Sequence, residues 1–421
     1  MRRISTQYFL ATWPLLLGMG LLMLGAGLQG TLIGLRATLD AFPLVLIGAV
    51  MSCYYVGYIC GSICAPQLVQ RVGHIRVFAA LTSLASVTIL VQALFVTPLV
   101  WALLRAASGF CFAGIYVVAE SWLNDRATNA NRGVALALYM LVLYVGLGGG
   151  QFLLNLGDAG GPTLFILVAV LISLAVVPMT LTVQRAPEFD IPQKISVREL
   201  YDASPMGVVG VTASGMVTSA LFSMGAVYAR LSGFEARDIG TFMGVSILAA
   251  VLTQLPIGRL SDRVDRRSVL IVVCLLAAGF GLAAAVFGSM SRPLLFLLAA
   301  SFGGIALTLY SLSLSHINDH LRPDQMVSAS SVVILLNGVG AVAGPLLVAT
   351  LMASFGPAAY FWSLAALVGC LAIYAIWRKG QRGPVEPGHK VRFVTTQPQA
   401  ASGRMIGVIA HDAALARDDT H

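Results

Sequence analysis

Runs of roughly twenty apolar residues recur about twelve times along this chain, each divided from the next by a few residues that turn or carry charge. A bilayer core about 30 Å thick takes about 20 residues of helix to cross. Lipid offers the backbone no hydrogen-bond partners, so such a segment satisfies its own N–H and C=O groups as a helix. The runs cover 10–34, 43–65, 77–96, 98–121, 134–155, 162–183, 206–229, 239–257, 269–289, 293–315, 327–353 and 357–377. Asp40 to Pro43, Thr97-Pro98, Gly160 to Pro162, Arg292-Pro293 and Gly356-Pro357 separate them, combinations that stop or start helices. Only 10% of residues are charged and 58% are hydrophobic, whereas soluble domains carry roughly a quarter charged residues. A water-soluble globule is excluded, and the expected fold class is an all-α membrane protein with twelve transmembrane helices.

A formal net charge of +8 would suit nucleic acid. The basic residues, however, sit in short clusters between apolar runs and form no continuous polar face, so no nucleic acid is expected and the lipid bilayer is the surface they meet. Cys53, Cys60, Cys64, Cys111, Cys274 and Cys370 all fall inside apolar stretches without CxxC spacing or histidine partners. They read as small apolar residues, with no metal, disulfide or cofactor expected. Arg2 and Arg3 before a long apolar run superficially resemble a signal peptide, but the run from Phe9 to Leu35 is too long for one.

With a cytoplasmic N-terminus, the inside connections hold Arg71, Arg76, Arg126, Arg132, Arg259, Arg263, Arg266 and Arg267 among others, and the outside ones only Arg36, Arg230, Arg237 and Arg292. This bias follows the positive-inside rule and puts both termini in the cytoplasm. The longest internal connection, 184–205, divides six runs from six. The expected organisation is a six-helix bundle over 1–183, a cytoplasmic linker over 184–205, a second six-helix bundle over 206–378 and a mobile cytoplasmic tail over 379–421. A short helix over Met405 to Ala416 is a further expectation.

The two halves repeat each other. Leu68-Val-Gln-Arg71-Val-Gly73-His74 lies over Leu260-Ser-Asp262-Arg263-Val-Asp265-Arg266 at an offset of 192. At an offset of 194, Ser121-Trp-Leu-Asn-Asp125 lies over Ser315-His-Ile-Asn-Asp319, and Gly146 and Gly150 over Gly340 and Gly344. Three matches at nearly one offset mark duplicated, pseudo-symmetric bundles. Gly258-Arg-Leu-Ser-Asp262-Arg263-Val-Asp265-Arg266-Arg267 resembles the loop signature of the major facilitator superfamily, with Asp265 at the usual glycine position. The first-half copy is degenerate, with Pro66 at the leading glycine and Gln70 at the aspartate. Arg105-x-x-x-Gly109 is similar to the family's arginine motif, and Gly340-x-x-x-Gly344-Pro345 to its glycine-proline motif, displaced to helix eleven. Gln254-Leu-Pro-Ile-Gly-Arg-Leu, Glu120-Ser121 and Asn131-Arg132-Gly133 look most like the YcaD-like branch.

That resemblance implies a transporter in the bacterial inner membrane, acting as a monomer on a small-molecule substrate, whose helices one, four, seven and ten line a central cavity. Gln29, Arg105, Tyr116 and Tyr310 then become substrate contacts, with Gln151 the polar residue of helix five most suited to join them. Arg105 is the one charge well inside a predicted span, where a cation costs at least ~2.5 kcal/mol; a purely structural arginine satisfied by carbonyls or Gln29 is the competing reading. In the family, the loop aspartate docks against a helix of the opposite half. Here Asp262 should meet the N-terminus of helix five near Arg132 and Gly133, and Arg266 should pair with Asp319. Arg71, Asp125 and Arg263 complete this gating group, and Gln70 makes the first-half latch the weaker one. Glu120 reads either as a proton-responsive carboxylate or as an exposed member of the same network.

The helices that commonly carry mid-membrane carboxylates in proton-coupled exporters lack them here, so coupling to protons is a default of the family and no residue demands it. A membrane enzyme would need clustered His, Asp or Glu inside the bilayer, and those are absent from the sequence. The expected activity is secondary active transport of a small neutral or anionic metabolite or drug-like amphiphile by alternating access. A non-transporting sensor or assembly factor with the same fold is the alternative.

Overall fold

The computed structural model describes residues 6–126, 132–181, 195–381, 393, 395 and 396. Among them every regular element is a helix. Twelve are long and apolar enough to cross a membrane: α1 Thr6–Leu39, α2 Leu44–Val72, α3 His74–Leu94, α4 Pro98–Arg126, α5 Arg132–Phe152, α6 Thr163–Thr180, α7 Pro205–Leu231, α8 Ala236–Arg263, α9 Arg266–Phe287, α10 Arg292–Asn318, α11 Pro323–Phe355 and α12 Ala359–Lys379. Large apolar side chains such as Leu99, Leu103, Leu252 and Ile373 point outward and stay exposed, the inverse of a soluble protein and the arrangement lipid requires.

Several helices run past the apolar stretches that define them in sequence. Expected to end at 65 and 257, α2 and α8 continue to Val72 and Arg263. Residues 68–71 and 260–263 therefore form final helical turns, and the signature loop shrinks to Gly73 on one side and Val264-Asp265 on the other. The apolar run reports where lipid ends, but straight-chain polar residues keep the helix going beyond it. Gly73 has φ +94°, a conformation that favours glycine. α6 breaks at Ala175, three residues before Pro178, which cannot donate to the carbonyl of Leu174 and crowds it. Within the linker, Val197–Ala203 forms a short helix that opens on a capping box: Ser196 Oγ accepts from the Glu199 N–H at 3.1 Å, and the Ser196 N–H donates to Glu199 at 2.9 Å. The Ser-x-x-Glu pattern is the sequence mark of such a start, and it makes this end of the linker a structured element. Residues 184–194, Arg2, Arg3 and the 405–416 segment lie outside the described residues.

The packing of the two halves is the same. α1 lies on α5 and α6, α2 on α4, and α3 on α4 and α6; correspondingly α7 lies on α11 and α12, α8 on α10, and α9 on α10 and α12. Glycines set the closest crossings, and they repeat too. A Cβ at Gly109 of α4 would run into the Tyr54 carbonyl of α2, and one at Gly303 of α10 would run into the Ser246 carbonyl of α8. Gly150 presses on the Leu24 carbonyl of α1, and Gly344 on the Met216 carbonyl of α7. Without a hydrophobic driving force between helices in lipid, such close backbone approach is a main source of adhesion.

Between the halves, α1 meets α7, α2 meets α11 and α5 meets α8. Tight approaches lie toward the face opposite the linker, Gly34 against Ser223 and Val227, Gly48 against Pro345 and Ala349, and Gly240 against the Gln151 carbonyl, while Gly338 meets Ile59 nearer mid-helix. The first three approaches sit near the α1–α2, α5–α6, α7–α8 and α11–α12 connections. The two bundles are thus joined at one end.

Candidate substrate crevice and gate cluster

Inside that joined end lies a polar cavity of about 50 Å³. A water needs at least about 10–15 Å³, so the crevice has room for a few waters. Arg105 lies seven residues after the start of α4, about 10 Å along it, so the crevice is off the middle, nearer the face opposite the linker. Gln29, Arg105, Tyr116 and Gln151 all line it. Tyr310 does not: it is buried farther along α10, its hydroxyl without a hydrogen-bond partner.

Arg105 is buried, and its guanidinium carbon lies 4.4 Å from the centroid of the Tyr54 ring. That is a desolvated cation–π contact. Among the described residues its buried Nε has no hydrogen-bond partner, and the ionisable groups that bear on it are Tyr54, Tyr55 and Cys53, none of them a carboxylate. Gln29 donates to Ser108 Oγ at 3.4 Å, a long contact that leaves the amide available. Gln151 is fully committed: its Nε2 donates to the Gly27 carbonyl at 2.9 Å and its Oε1 accepts from Thr31. It ties α5 to α1 and shapes the crevice wall. Tyr116 points its hydroxyl at Met23 Sδ, 3.4 Å away.

Four polar lining residues are not singled out as contacts by the sequence: Thr31, Tyr54, Tyr55 and Ser223. Tyrosines such as Tyr54 and Tyr55 in an apolar helix can equally pack with satisfied hydroxyls, and Thr31 and Ser223 carry no signal in an apolar helix. A cue exists in the spacing of Tyr54 and Tyr58, one turn apart on α2 with ring centroids 6.4 Å from each other and Tyr58 6.4 Å from Tyr116. This aromatic row runs from Arg105 toward Glu120. Glu120 is buried, not exposed, at 1% exposure, and it acts electrostatically on Tyr58, Tyr116, Tyr139 and Tyr310, drawn from α2, α4, α5 and α10. The α4 helix carries it farther inside the protein than the end of the apolar run suggests.

At the linker face, Arg266 organises a cluster. It donates to Asp319 and to the Ser315 carbonyl, both at 2.8 Å, to Ser261 Oγ at 2.9 Å, and to Asp262 at 3.2 Å. Both Arg266 and the Asp319 carboxylate are buried, and multiple charge-assisted bonds offset the cost of taking them out of water. Asp265 caps α9 through the Arg267 N–H. Partial burial works against its charge, but bonds from Arg267 and Ser268 prevail and hold its carboxyl below the usual range. The first-half equivalent of Arg266 is His74, buried and 3.0 Å from Ser121 Oγ. Arg71, Asp125 and Arg263 are exposed at helix ends. The side chain of Arg132 lies outside what is described; among the described residues, Asp262 bonds to Arg266 and to the Phe393 N–H of the tail.

The sequence matches the Major Facilitator Superfamily over residues 15–250 and again over 206–414. It is 28% identical to an uncharacterised MFS-type transporter, YcaD of Escherichia fergusonii, over 84% of this chain and 92% of that one. It is 27% identical to another from Enterobacter sp. (strain 638), over 89% and 97%. Among solved structures, a point mutant of the nucleoside transporter NupG superposes with a TM-score of 0.75 at 17% identity, covering 88% of this chain and 100% of that one. A bacterial homologue of the human lysosomal transporter Spinster, in an inward-facing and unoccupied conformation, superposes with a TM-score of 0.69 at 14% identity, covering 99% and 98%. Twelve apolar helices in two repeated bundles, with a match that spans both, therefore make this chain a member of the Major Facilitator Superfamily, a multi-pass membrane transporter.

Proposed function

We propose that this protein is a secondary active transporter that binds a small neutral or anionic solute at Arg105 and moves it by alternating access. The carrying observation is a buried guanidinium, stacked on Tyr54, whose Nε has no partner and whose ionisable neighbours include no carboxylate among the described residues. Holding a cation in lipid costs at least ~2.5 kcal/mol, and an arriving anion would offset that cost while a cation would be repelled. Arg105 and Gln29 supply the donors; Tyr54, Phe112 and Tyr116 supply apolar faces. That combination fits an amphiphile with one acidic or carbonyl head.

Both termini and the linker lie in the cytoplasm, in keeping with the charge bias of the connections. With the bundles joined at the opposite face, the linker face is then the side through which solute leaves or enters, the sense named for the Spinster homologue. Rocking about the α1–α7, α2–α11 and α5–α8 contacts would expose the crevice to the other side. Glu120, ringed by tyrosines from four helices, is the residue best placed to carry a proton, and coupling to protons is part of this reading.

The test is solute-evoked current and pH change in liposomes containing the purified full chain, screened with benzoate, benzamide and benzylamine as probes of one shape and three charges. Responses to benzoate or benzamide that vanish in Arg105→Gln support the reading. Binding without any flux would make the protein a sensor, and a response to benzylamine alone would overturn the assignment of Arg105.

A further inference from the structure

Part of the C-terminal tail is packed against the transporter body. Thr396 is completely buried. Its N–H donates to Ser311 Oγ at 3.0 Å, and Ser311 Oγ donates in turn to the Thr396 carbonyl at 3.0 Å or lies 3.1 Å from its Oγ1. Three residues earlier, the Phe393 N–H donates to Asp262 Oδ1 at 2.7 Å, and the Phe393 ring lies where a Cβ on Gly258 would be. The tail therefore touches the end of α8 through Gly258 and Asp262, and the inner turns of α10 through Ser311. A polar segment has no reason to bury a threonine unless the body offers a seat for it, because ordering each residue costs about 1–2 kcal/mol of backbone entropy.

We infer that the groove between the ends of α8 and α10 is a binding site for an extended peptide, and that its occupant is this chain's own tail, held at Phe393 and Thr396. Three features make the fit. Gly258 leaves a flat patch of helix backbone for the aromatic ring, which any larger residue would fill. Asp262 is a charged acceptor for a backbone N–H, a bond about twice as strong as a neutral one. Ser311 serves as donor and acceptor for the two backbone groups of one residue, as the edge of a strand would. The segment, Val391-Arg-Phe-Val-Thr-Thr396, is rich in the β-branched residues that favour an extended chain.

The seat has a consequence that rests on the gating role the family resemblance implies for Asp262. The tail covers the face of α8 that carries Gly258 and Asp262, the face that would meet the opposite bundle when the linker side closes. The bound tail and the closed linker side are thus mutually exclusive, and the tail is a built-in competitor that favours the open linker face.

Amide hydrogen exchange of the full chain in lipid nanodiscs tests the site directly. The Phe393 and Thr396 amides should exchange roughly tenfold or more slowly than in a free peptide of residues 390–399. Ser311→Ala should release Thr396, and Phe393→Ala, which alters no spanning helix and leaves folding untouched, should release both amides. Exchange at the free-peptide rate in the unaltered chain would overturn the inference, whatever the transport assay shows. For the competition, a cysteine-reactive probe placed at the linker-face end of the crevice should label the Phe393→Ala chain more slowly than the parent. Equal labelling, with tail amides released, would remove the mutual exclusion while leaving the peptide site standing.

Discussion

The guanidinium of Arg105 and the ring of Tyr54 stack at 4.4 Å across the α4–α2 crossing, and the same crossing is held by Gly109 against the Tyr54 carbonyl. One residue of α2 thus fixes both the backbone approach and the position of the charge. Arg105→Lys keeps the charge but loses the planar fork. It should leave expression and melting behaviour intact while weakening solute binding. Tyr54→Leu should cost about 0.5–2 kcal/mol of binding, while Tyr54→Phe should be close to the parent. Titration of solute binding on the purified variants checks the order Tyr54→Phe, Tyr54→Leu, Arg105→Lys.

Arg266→Met removes the guanidinium that lies 2.8 Å from the buried Asp319 carboxylate. Removing one member of such a pair typically costs about 3–5 kcal/mol, and here three further bonds from Arg266 go with it. The melting temperature in detergent should fall sharply. The double change Arg266→Met with Asp319→Leu should recover much of the loss, since it removes both charges together. Failure of the double variant to recover would assign the loss to the bonds with Ser261 and Ser315 instead of the ion pair.

The glycine crossings separate packing from function. Gly109→Ala and Gly303→Ala each force two helices apart, and overpacking of this kind costs about 1–3 kcal/mol; both should reduce the yield of folded protein. Gly30→Ala meets nothing within 4 Å although Gly30 lines the crevice. That variant should fold like the parent and bind bulky solutes less well. Size-exclusion profiles and solute binding, measured side by side, distinguish the two classes.

Acid should act through the α9 cap. Asp265 is a stronger acid in the folded protein than in the unfolded chain. Its stabilising contribution is complete above its unfolded value of about 3.9 and fades as pH falls through the lower folded one. Asp265→Asn should lower the melting temperature at neutral pH and flatten its decline in acid, as followed by thermal scans between about pH 3 and 7.

The fold was written in the apolar runs and in the duplicated Leu68–His74 and Leu260–Arg266 segments, because span length and repetition are properties of sequence. Arg105 stood out for the same kind of reason: a charge in lipid has few places to go. What the residues did not announce was the company these groups keep. Thr31 and Ser223 are ordinary residues until α1 and α7 bring them to the crevice, and Tyr310, beside Ser311 on a polar-looking stretch of α10, lies away from it. Helix ends beyond the bilayer carry no apolar signal, which is why hydropathy alone stops α2 and α8 too early. The substitution of His74 for the first-half arginine, by contrast, was visible in the repeat, and it puts a hydrogen bond to Ser121 where the second half has the Arg266–Asp319 ion pair.

The off-centre position of Arg105, about 10 Å from the start of α4, divides the membrane voltage unequally. An anion reaching it from the linker side crosses the larger part of the electric field, and one from the other side crosses the smaller part. Since a full traverse is worth about 2.3 kcal/mol per charge at 100 mV, loading from the two sides would respond to membrane potential by different amounts, an asymmetry set by the position of one residue.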